Sequence, residues 1–139
     1  MPVTPAEVVV DASAVVRGVL REAPDAEELL RQISEGTLNA HAPDLIAPEC
    51  TNALLRLVRA GRLPTDEAAA LLDVVSSPVI HRHATAPFAQ VALDTALGAG
   101  ISGYDAFYAV LADALDCPLV TADRRLGEAI DRAVLVGSR

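Results

Sequence analysis

Residues 8–14 read Val-Val-Val-Asp-Ala-Ser-Ala, a β-branched run that meets an acid and then small residues. Short runs of this kind are typical of strands that are buried on both faces of a parallel sheet. Asp11 ends the predicted strand, and we expect a helix over residues 12–20. A strand that passes through an acid into a helix is the unit that predicts the fold.

The same alternation of strands and helices continues along the chain. Further strands are predicted over residues 38–42, 79–81, 118–121 and 134–136. Further helices are predicted after Pro24, from Pro48, and over residues 67–75, 87–97, 103–115 and 124–132. Alternation of this kind favours a parallel sheet that is covered by helices. We therefore predict an α/β fold with a central, mainly parallel sheet of four or five strands, in a single domain over residues 1–139.

Four acidic residues stand where such a fold places strand ends and helix starts. Asp11 and Asp123 follow predicted strands, and Glu49 and Asp105 lie in the first turns of predicted helices. In open α/β sheets ligands bind beyond the carboxyl ends of the strands, so we expect the four acids to share a pocket. Carboxylates held close together resist ionisation unless a cation neutralises them, and Mg2+ and Mn2+ prefer oxygen ligands. The pattern indicates a metal-dependent hydrolase.

Each of these acids also has a purely structural explanation. Asp11 and Asp123 can cap the helices that follow them, and Ser102 with Asp105 has the spacing of a capping box. Glu49 suits the positive end of a helix dipole in any protein. Capping explains each position singly, but it does not require all four acids to lie at one edge of a sheet.

Composition narrows the possible functions. The chain has 11 basic and 19 acidic residues, and a net charge of -8 argues against passive coating of a nucleic-acid duplex. Cys50 and Cys117 are too few for a disulfide framework, so we interpret them as buried free thiols in a reducing cytosol. The apolar N-terminal run lacks a basic region, and no uncharged stretch is long enough to span a bilayer. We therefore expect a soluble, cytoplasmic protein without a membrane partner.

His81 and His83 form a His-x-His pair that would share one face of a strand. Such pairs occur in transition-metal sites, but no acidic residue or cysteine adjoins this one. We therefore expect these histidines to lie at the surface or to be satisfied by hydrogen bonds.

Four segments together resemble the motif blocks of one protein family. They are V-V-V-D-A-S-A over residues 8–14, P-E-C-T-N-A-L over 48–54, Y-D-A-F-Y-A-V-L-A over 104–112 and P-L-V-T-A-D-R-R-L over 118–126. In this order they resemble PIN-domain ribonucleases, particularly the VapC-type toxins of bacterial toxin and antitoxin pairs. The last two blocks are the more specific. The resemblance implies a PIN-like three-layer sandwich.

The resemblance also implies roles for particular residues. The family's acidic quartet falls on Asp11, Glu49, Asp105 and Asp123. The resemblance places its hydroxyl groups on Thr121 and Ser13. Arg124 and Arg125 follow the last acid closely, and we take one of them, with Arg124 as the first candidate, to reach a substrate phosphate, although both can equally remain solvated. The family binds Mg2+ or Mn2+, which would activate a water for in-line attack on phosphorus. We take Asp11, Asp105 and Asp123 as the metal ligands, with Glu49 binding through water or orienting the nucleophile.

The resemblance further implies the partners of the protein. The family cleaves single-stranded or looped RNA, and the sequence leaves open whether tRNA, rRNA or mRNA is the target. A cognate VapB-type antitoxin would lie over the acidic pocket and an apolar groove, and the family commonly forms homodimers. Leucine-rich helices around residues 54–58 and 71–75 can supply such a groove or pack in the core.

Three rival interpretations remain. A receiver-like signalling domain also clusters acids around Mg2+, but it relies on a lysine and this chain has none. A haloacid-dehalogenase-like phosphatase would have a second Asp two positions after Asp11, where Ser13 stands. A non-catalytic PIN interaction module is the third, and the intact acids argue against it.

Overall fold

A five-stranded, wholly parallel sheet forms the centre of the computed structural model, which describes residues 5–137. The strands are β1 (Ala6–Val10), β2 (Leu38–Pro43), β3 (Ile80–His83), β4 (Leu119–Thr121) and β5 (Ala133–Leu135). Their order across the sheet is β3-β2-β1-β4-β5, and each neighbouring pair is parallel. This confirms the predicted α/β fold. The predicted domain limits, residues 1 and 139, lie outside the described residues.

Seven α-helices flank the sheet within the described part of the chain. They are α1 (Ala12–Leu20), α2 (Pro24–Glu35), α3 (Ile46–Arg59), α4 (Thr65–Ser76), α5 (Ala89–Ala99), α6 (Gly103–Leu115) and α7 (Arg124–Ala129), with a short 3-10 helix, Ala86–Phe88, before α5. The chain moves from β1 to β3 in one direction, then returns to β4 and β5 on the other side of β1. Because crossovers between parallel strands are right-handed, this reversal puts α1 to α4 on one face and α5 to α7 on the other.

Several helices differ from their predicted boundaries by up to three residues: α4 spans Thr65–Ser76 rather than residues 67–75, and α5 spans Ala89–Ala99 rather than residues 87–97. α3 begins at Ile46, two residues before the predicted start at Pro48. The first amides of a helix have no intrahelical acceptor, so a proline fits anywhere in the first turn. α7 ends at Ala129 rather than at residue 132, because Ile130 is extended, with φ -121° and ψ 119°, and leads the chain toward β5.

The core is aliphatic, as the composition predicts. Val9 and Val10 of β1 are fully buried between the two helical layers, and Tyr108 is the one aromatic residue among the largest buried side chains. Cys50 and Cys117 are buried free thiols, which confirms that part of the prediction. Burial, with the nearby charge of Glu49, raises the pKa of the Cys50 thiol to about 12, so this thiol stays protonated and unreactive.

A histidine cluster lies on β1, β2 and β3, and we define it as Glu7, Asn39, His41, His81 and His83. Nε2 of His41 lies 3.0 Å from Oε1 of Glu7, and Nδ1 of His41 lies 2.9 Å from Nε2 of His83. Nε2 of His81 lies 3.0 Å from Oδ1 of Asn39. The His-x-His pair is thus satisfied by hydrogen bonds, as expected.

Within residues 5–137, none of the helices has the length and apolar character that crossing a membrane requires.

Candidate active site

The strand order reverses between β1 and β4, and this point positions the predicted site. β1 and β4 are paired through Val10 and Val120, and the amide of Asp11 donates to the carbonyl of Val120 at 3.2 Å. The residues that follow the two strands therefore emerge side by side. Parallel α/β sheets bind ligands at such a point, because neighbouring connections leave it in opposite directions and open a crevice.

Asp11 is buried at this point, with 5% of its surface exposed. Its Oδ1 accepts hydrogen bonds from the Ser13 hydroxyl at 2.7 Å and from the Ala14 amide at 2.9 Å. Its Oδ2 accepts from the Thr121 hydroxyl at 2.5 Å. Burial raises the pKa of Asp11 and the charge of Asp105 raises it further, while the hydrogen bonds oppose the shift. Asp11 thus caps α1 and also belongs to an electrostatically coupled group of acids.

Ser13 and Thr121 connect the ends of β1 and β4 through a web of hydroxyl groups. Their oxygens lie 3.3 Å apart. The Ala122 amide donates to Ser13 at 2.9 Å, and the Asp123 amide donates to Thr121 at 3.0 Å. The two predicted hydroxyl residues therefore hold Asp11 and fix the backbone that carries Asp123.

Glu49 comes from the first turn of α3 and is held by Tyr108 of α6. The Tyr108 hydroxyl donates to Oε1 of Glu49 at 2.7 Å. Burial raises the pKa of Glu49, the Tyr108 bond lowers it, and the charges of Asp105 and Asp11 raise it. Sequence reasoning missed Tyr108, although it lies three residues after Asp105 and so on the same helix face.

Asp105 and Asp123 face each other across a small cavity. The cavity has a volume of about 100 Å³ and is lined by Ile101, Ser102, Asp105, Asp123, Arg125 and Leu126. Burial raises the pKa of Asp105, the Ser102 hydroxyl lowers it, and the charge of Asp123 raises it. Asp123 also caps α7, accepting from the Arg125 amide at 2.9 Å. Asp123 therefore has both roles: it caps α7, and it also lines the cavity.

Arg125, rather than Arg124, is the arginine that lines this cavity. Its charge lowers the pKa of Asp105. Arg124 is exposed and makes no hydrogen bond or ion pair within the described residues. Its substrate role stays a prediction, and Arg125 is the stronger candidate because of its position.

We call Asp11, Glu49, Asp105 and Asp123 the carboxylate cluster, because mutual repulsion connects all four. The charge of Asp105 raises the pKa of Asp11 and of Glu49, and the charge of Asp123 raises the pKa of Asp105. Within residues 5–137 none of the four forms an ion pair with a basic side chain. These carboxylates repel one another and no ion pair among the described residues neutralises them, and their oxygens are the donors that a hard divalent cation prefers.

The four carboxylates are not already arranged as a complete set of metal ligands. In the part of the chain that the structure describes, no three His, Cys, Asp or Glu side chains are already arranged to hold a metal ion. Asp11 instead directs both oxygens to hydroxyl and amide donors, and Glu49 directs one oxygen to Tyr108. The residues fit a cation by their chemistry, and the metal site itself remains a proposal.

The fold and this site define a class. The sequence matches the PIN domain over residues 8–131. The chain therefore belongs to the PIN-domain family, which confirms the resemblance of its motif blocks.

Individual relatives narrow the class. The chain is 35% identical over 123 residues to ribonuclease VapC1 of Mycobacterium tuberculosis, which covers 88% of this chain and 90% of that protein. It is 34% identical over 124 residues to ribonuclease VapC3 of Pyrobaculum aerophilum, which covers 88% of this chain and 93% of that protein. The crystal structure of PAE2754 from Pyrobaculum aerophilum matches 94% of this chain and 84% of that chain, with a TM-score of 0.74 and 28% identity.

Proposed function

We propose that this chain is a metal-dependent endoribonuclease of the VapC type, which uses Mg2+ or Mn2+ to cleave single-stranded or structured RNA. The carboxylate cluster is the observation that carries the proposal. Three of its acids have a raised pKa, and within the described residues none has a basic partner in an ion pair. The relatives named ribonucleases VapC1 and VapC3 support RNA as the substrate.

Each residue has a defined task in the proposed reaction. Asp11, Asp105 and Asp123 would hold the ion, which when bound acidifies a water and offsets charge on the phosphate oxygens. Ser13 and Thr121 hold Asp11 in position through its two oxygens.

Glu49 and Arg125 complete the proposed machinery. Tyr108 fixes one oxygen of Glu49, and the other is left to orient the attacking water and accept its proton. Arg125 lines the cavity beside Asp105 and Asp123, where its guanidinium can attract a substrate phosphate.

The proposed biological setting is a toxin that a VapB-type antitoxin inhibits in the cytoplasm. Leu54 and Val75 pack in the core, so they are not available to a partner. Leu71 also packs in the core, with 2% of its surface exposed, whereas Val74 is partly exposed and lines a groove between α4 and the helices α1 and α2. This groove offers apolar surface to an antitoxin segment.

A homodimer is also part of the proposal. Leu93 and Leu97 lie one turn apart on α5 and are 60% and 76% exposed, and Tyr104 of α6 is 68% exposed. Large apolar side chains grouped in this way favour association, because a partner would remove them from water.

An RNA-cleavage assay tests the function. Purified protein should cleave single-stranded RNA with Mg2+ and stop when a chelator removes the ion. Folded Asp11→Asn and Asp105→Asn variants should lose at least about a hundredfold in rate, because each removes a charged ligand of the ion. If either variant cuts as fast as the wild type, the assignment of the site is wrong. If the wild type cuts no RNA, a non-catalytic interaction module becomes the better interpretation.

A further inference from the structure

A groove between α1 and α3 opens beside the carboxylate cluster. Its volume is about 320 Å³, which is within the range of small-ligand sites, about 300–1,000 Å³. Aliphatic side chains, among them Leu20 and Leu57, form its walls, and Arg17 and Arg56 also line it. We call it the arginine groove. Ser13 belongs both to this groove and to the hydroxyl web that holds Asp11, so the groove continues directly from the proposed active site.

The two arginines of this groove differ in their acidic partners within the described residues: Arg17 has one long ion pair, and Arg56 has none. Arg17 donates from Nη2 to the carbonyl of Gly137 at 3.2 Å, and its Nη1 lies 3.8 Å from the carboxylate of Glu22. The Nε of Arg17 is buried and has no hydrogen-bond acceptor. Arg56 is exposed, and its side chain makes no hydrogen bond or ion pair in the described part of the chain. A negative ligand would therefore find the free guanidinium of Arg56 and, in the same groove, an Arg17 guanidinium whose ion pair is 3.8 Å long.

Other arginines of this acidic chain are already engaged. Arg31 forms ion pairs with acids one turn away on α2, Arg62 pairs with Glu22, and Arg132 pairs with Asp113 and Asp116. Their charge is neutralised locally. The pair Arg17 and Arg56 is thus a local positive site in a chain whose net charge is -8.

We propose that the arginine groove binds the nucleotide next to the scissile bond, with its phosphate on Arg17 and Arg56 and its base against Leu20 and Leu57. This inference rests on the proposed ribonuclease function. A guanidinium group matches the geometry of a phosphate, and its charge-assisted bonds are the strong ones. The aliphatic walls bury the face of a base, whatever its identity. The RNA strand therefore continues from the carboxylate cluster into a groove that is lined by two arginines.

Arg56→Gln is the decisive variant, and Arg59→Gln is its matched control. Arg59 lies on the same helix, is exposed and does not line the groove. The probe is a random-sequence, single-stranded RNA pool cleaved with Mg2+. Arg56→Gln should raise KM roughly tenfold and leave kcat within about twofold, because the contact is made equally in the ground and transition states. The dependence of log KM on log salt should also lose about 0.7 of its slope, the value for one phosphate contact on a single strand.

A second measurement locates the phosphate. One cleaved sequence from the pool is synthesised with a neutral methylphosphonate at each phosphate in turn. For the wild type, one position beside the scissile bond should raise KM about as much as Arg56→Gln does. In the Arg56→Gln variant the same position should have a clearly smaller effect on KM, because one of the two charges that the phosphate would meet is already gone. Arg17→Gln should behave likewise, once its thermal stability shows that the Gly137 contact is not essential for folding.

The outcomes separate the inference from the function on which it rests. If the wild type cleaves RNA and Arg56→Gln leaves both KM and the salt slope unchanged, the groove does not bind RNA, and the ribonuclease proposal survives. If Arg56→Gln instead weakens only inhibition by a co-expressed antitoxin, the groove belongs to a protein partner and the inference is overturned. If the wild type cleaves no RNA, both proposals fail together.

Discussion

Two polar clusters lie on or beside the same sheet, and the pKa values of their acidic groups are shifted in opposite directions. In the histidine cluster each imidazole has a hydrogen-bond partner, and the bonds from His41 and Asn39 lower the pKa of the exposed Glu7. In the carboxylate cluster, burial and mutual repulsion raise the pKa of Asp11, Glu49 and Asp105. The first cluster is stable as it stands. In the carboxylate cluster the acids repel one another, and a bound cation would reduce that repulsion. Such an arrangement is expected of a functional site.

Adding the proposed ion should distinguish the two clusters most clearly, because we expect it to bind only to the carboxylate cluster. Mg2+ or Mn2+ at about one hundred times its Kd should raise the free energy of unfolding by about 2.7 kcal/mol, because it binds only the folded state. Asp105→Asn should lose most of this gain, and His83→Gln should keep it. Calorimetric melting with and without the ion measures the effect. Equal stabilisation of wild type and Asp105→Asn would place the ion elsewhere.

Tyr108→Phe tests whether the carboxylate cluster depends on a residue that sequence reasoning missed. Losing the hydroxyl should lower kcat roughly tenfold, which corresponds to about 1.4 kcal/mol in the barrier. The Tyr108 bond lowers the pKa of Glu49, so its removal should shift the acid limb of the pH-rate profile to higher pH. Tyr104→Phe, on the exposed side of the same helix, is the control. A fall in rate without a shift of the profile would mean that Tyr108 acts only through packing.

The difference between the clusters also explains what the sequence could predict. The acids of the carboxylate cluster follow strands or open helices, and their positions come from local patterns: a strand ending at Asp11, and Ser102 capping α6. Parallel topology then brings such positions to one edge of the sheet. The predicted fold class followed from these local signals together with one topological rule. The charges of the four acids act on one another, as that rule leads one to expect, but of these four described residues only Asp105 and Asp123 line a common cavity.

Side-chain partners could not be predicted in the same way. The contact between Tyr108 and Glu49 joins residues 59 positions apart, and the contact between His41 and His83 joins residues 42 apart. Neither contact leaves a local pattern, because each depends on strand register and helix rotation. The same limit explains Arg124 and Arg125, where adjacent positions on α7 point in different directions and only packing shows which of them lines the cavity.

His41→Ala should weaken the fold without affecting the proposed reaction. The substitution removes the partner of both Glu7 and His83, and we expect a loss of about 1 kcal/mol in the free energy of unfolding. The kcat/KM for RNA should stay within about twofold at a temperature where the variant is folded. His81→Ala is the control, because His81 is exposed and should cost less than about 0.5 kcal/mol. A large loss of activity in folded His41→Ala would connect the two clusters and break the comparison.

The smallest expected effect is the change of the free energy of unfolding with pH in the absence of metal. It is small because pH changes the stabilities of the two clusters in opposite directions. Asp11 has a raised pKa, so its contribution is fully present below the ordinary carboxyl value near 4 and is lost as pH rises through the folded value. His83 has a pKa lowered by burial and by its neighbouring histidines, so its contribution is lost as pH falls below about 6.5. Acidification from pH 7 to about 4 therefore strengthens the carboxylate cluster and weakens the histidine cluster.

Comparison with Asp11→Asn isolates the carboxylate part, because the histidine contribution is the same in both proteins and cancels in the difference. Asparagine keeps an oxygen for capping α1 and carries no charge, so the variant should be more stable than the metal-free wild type at pH 7. Its advantage should shrink as the pH falls toward about 4, the ordinary carboxyl value, because the raised pKa makes Asp11 of the wild type take up a proton above that value. Chemical denaturation at the two pH values measures this change. An advantage that grows on acidification would mean that Asp11 is stabilised as a carboxylate in the folded protein, and the stored repulsion would then lie in Glu49 and Asp105.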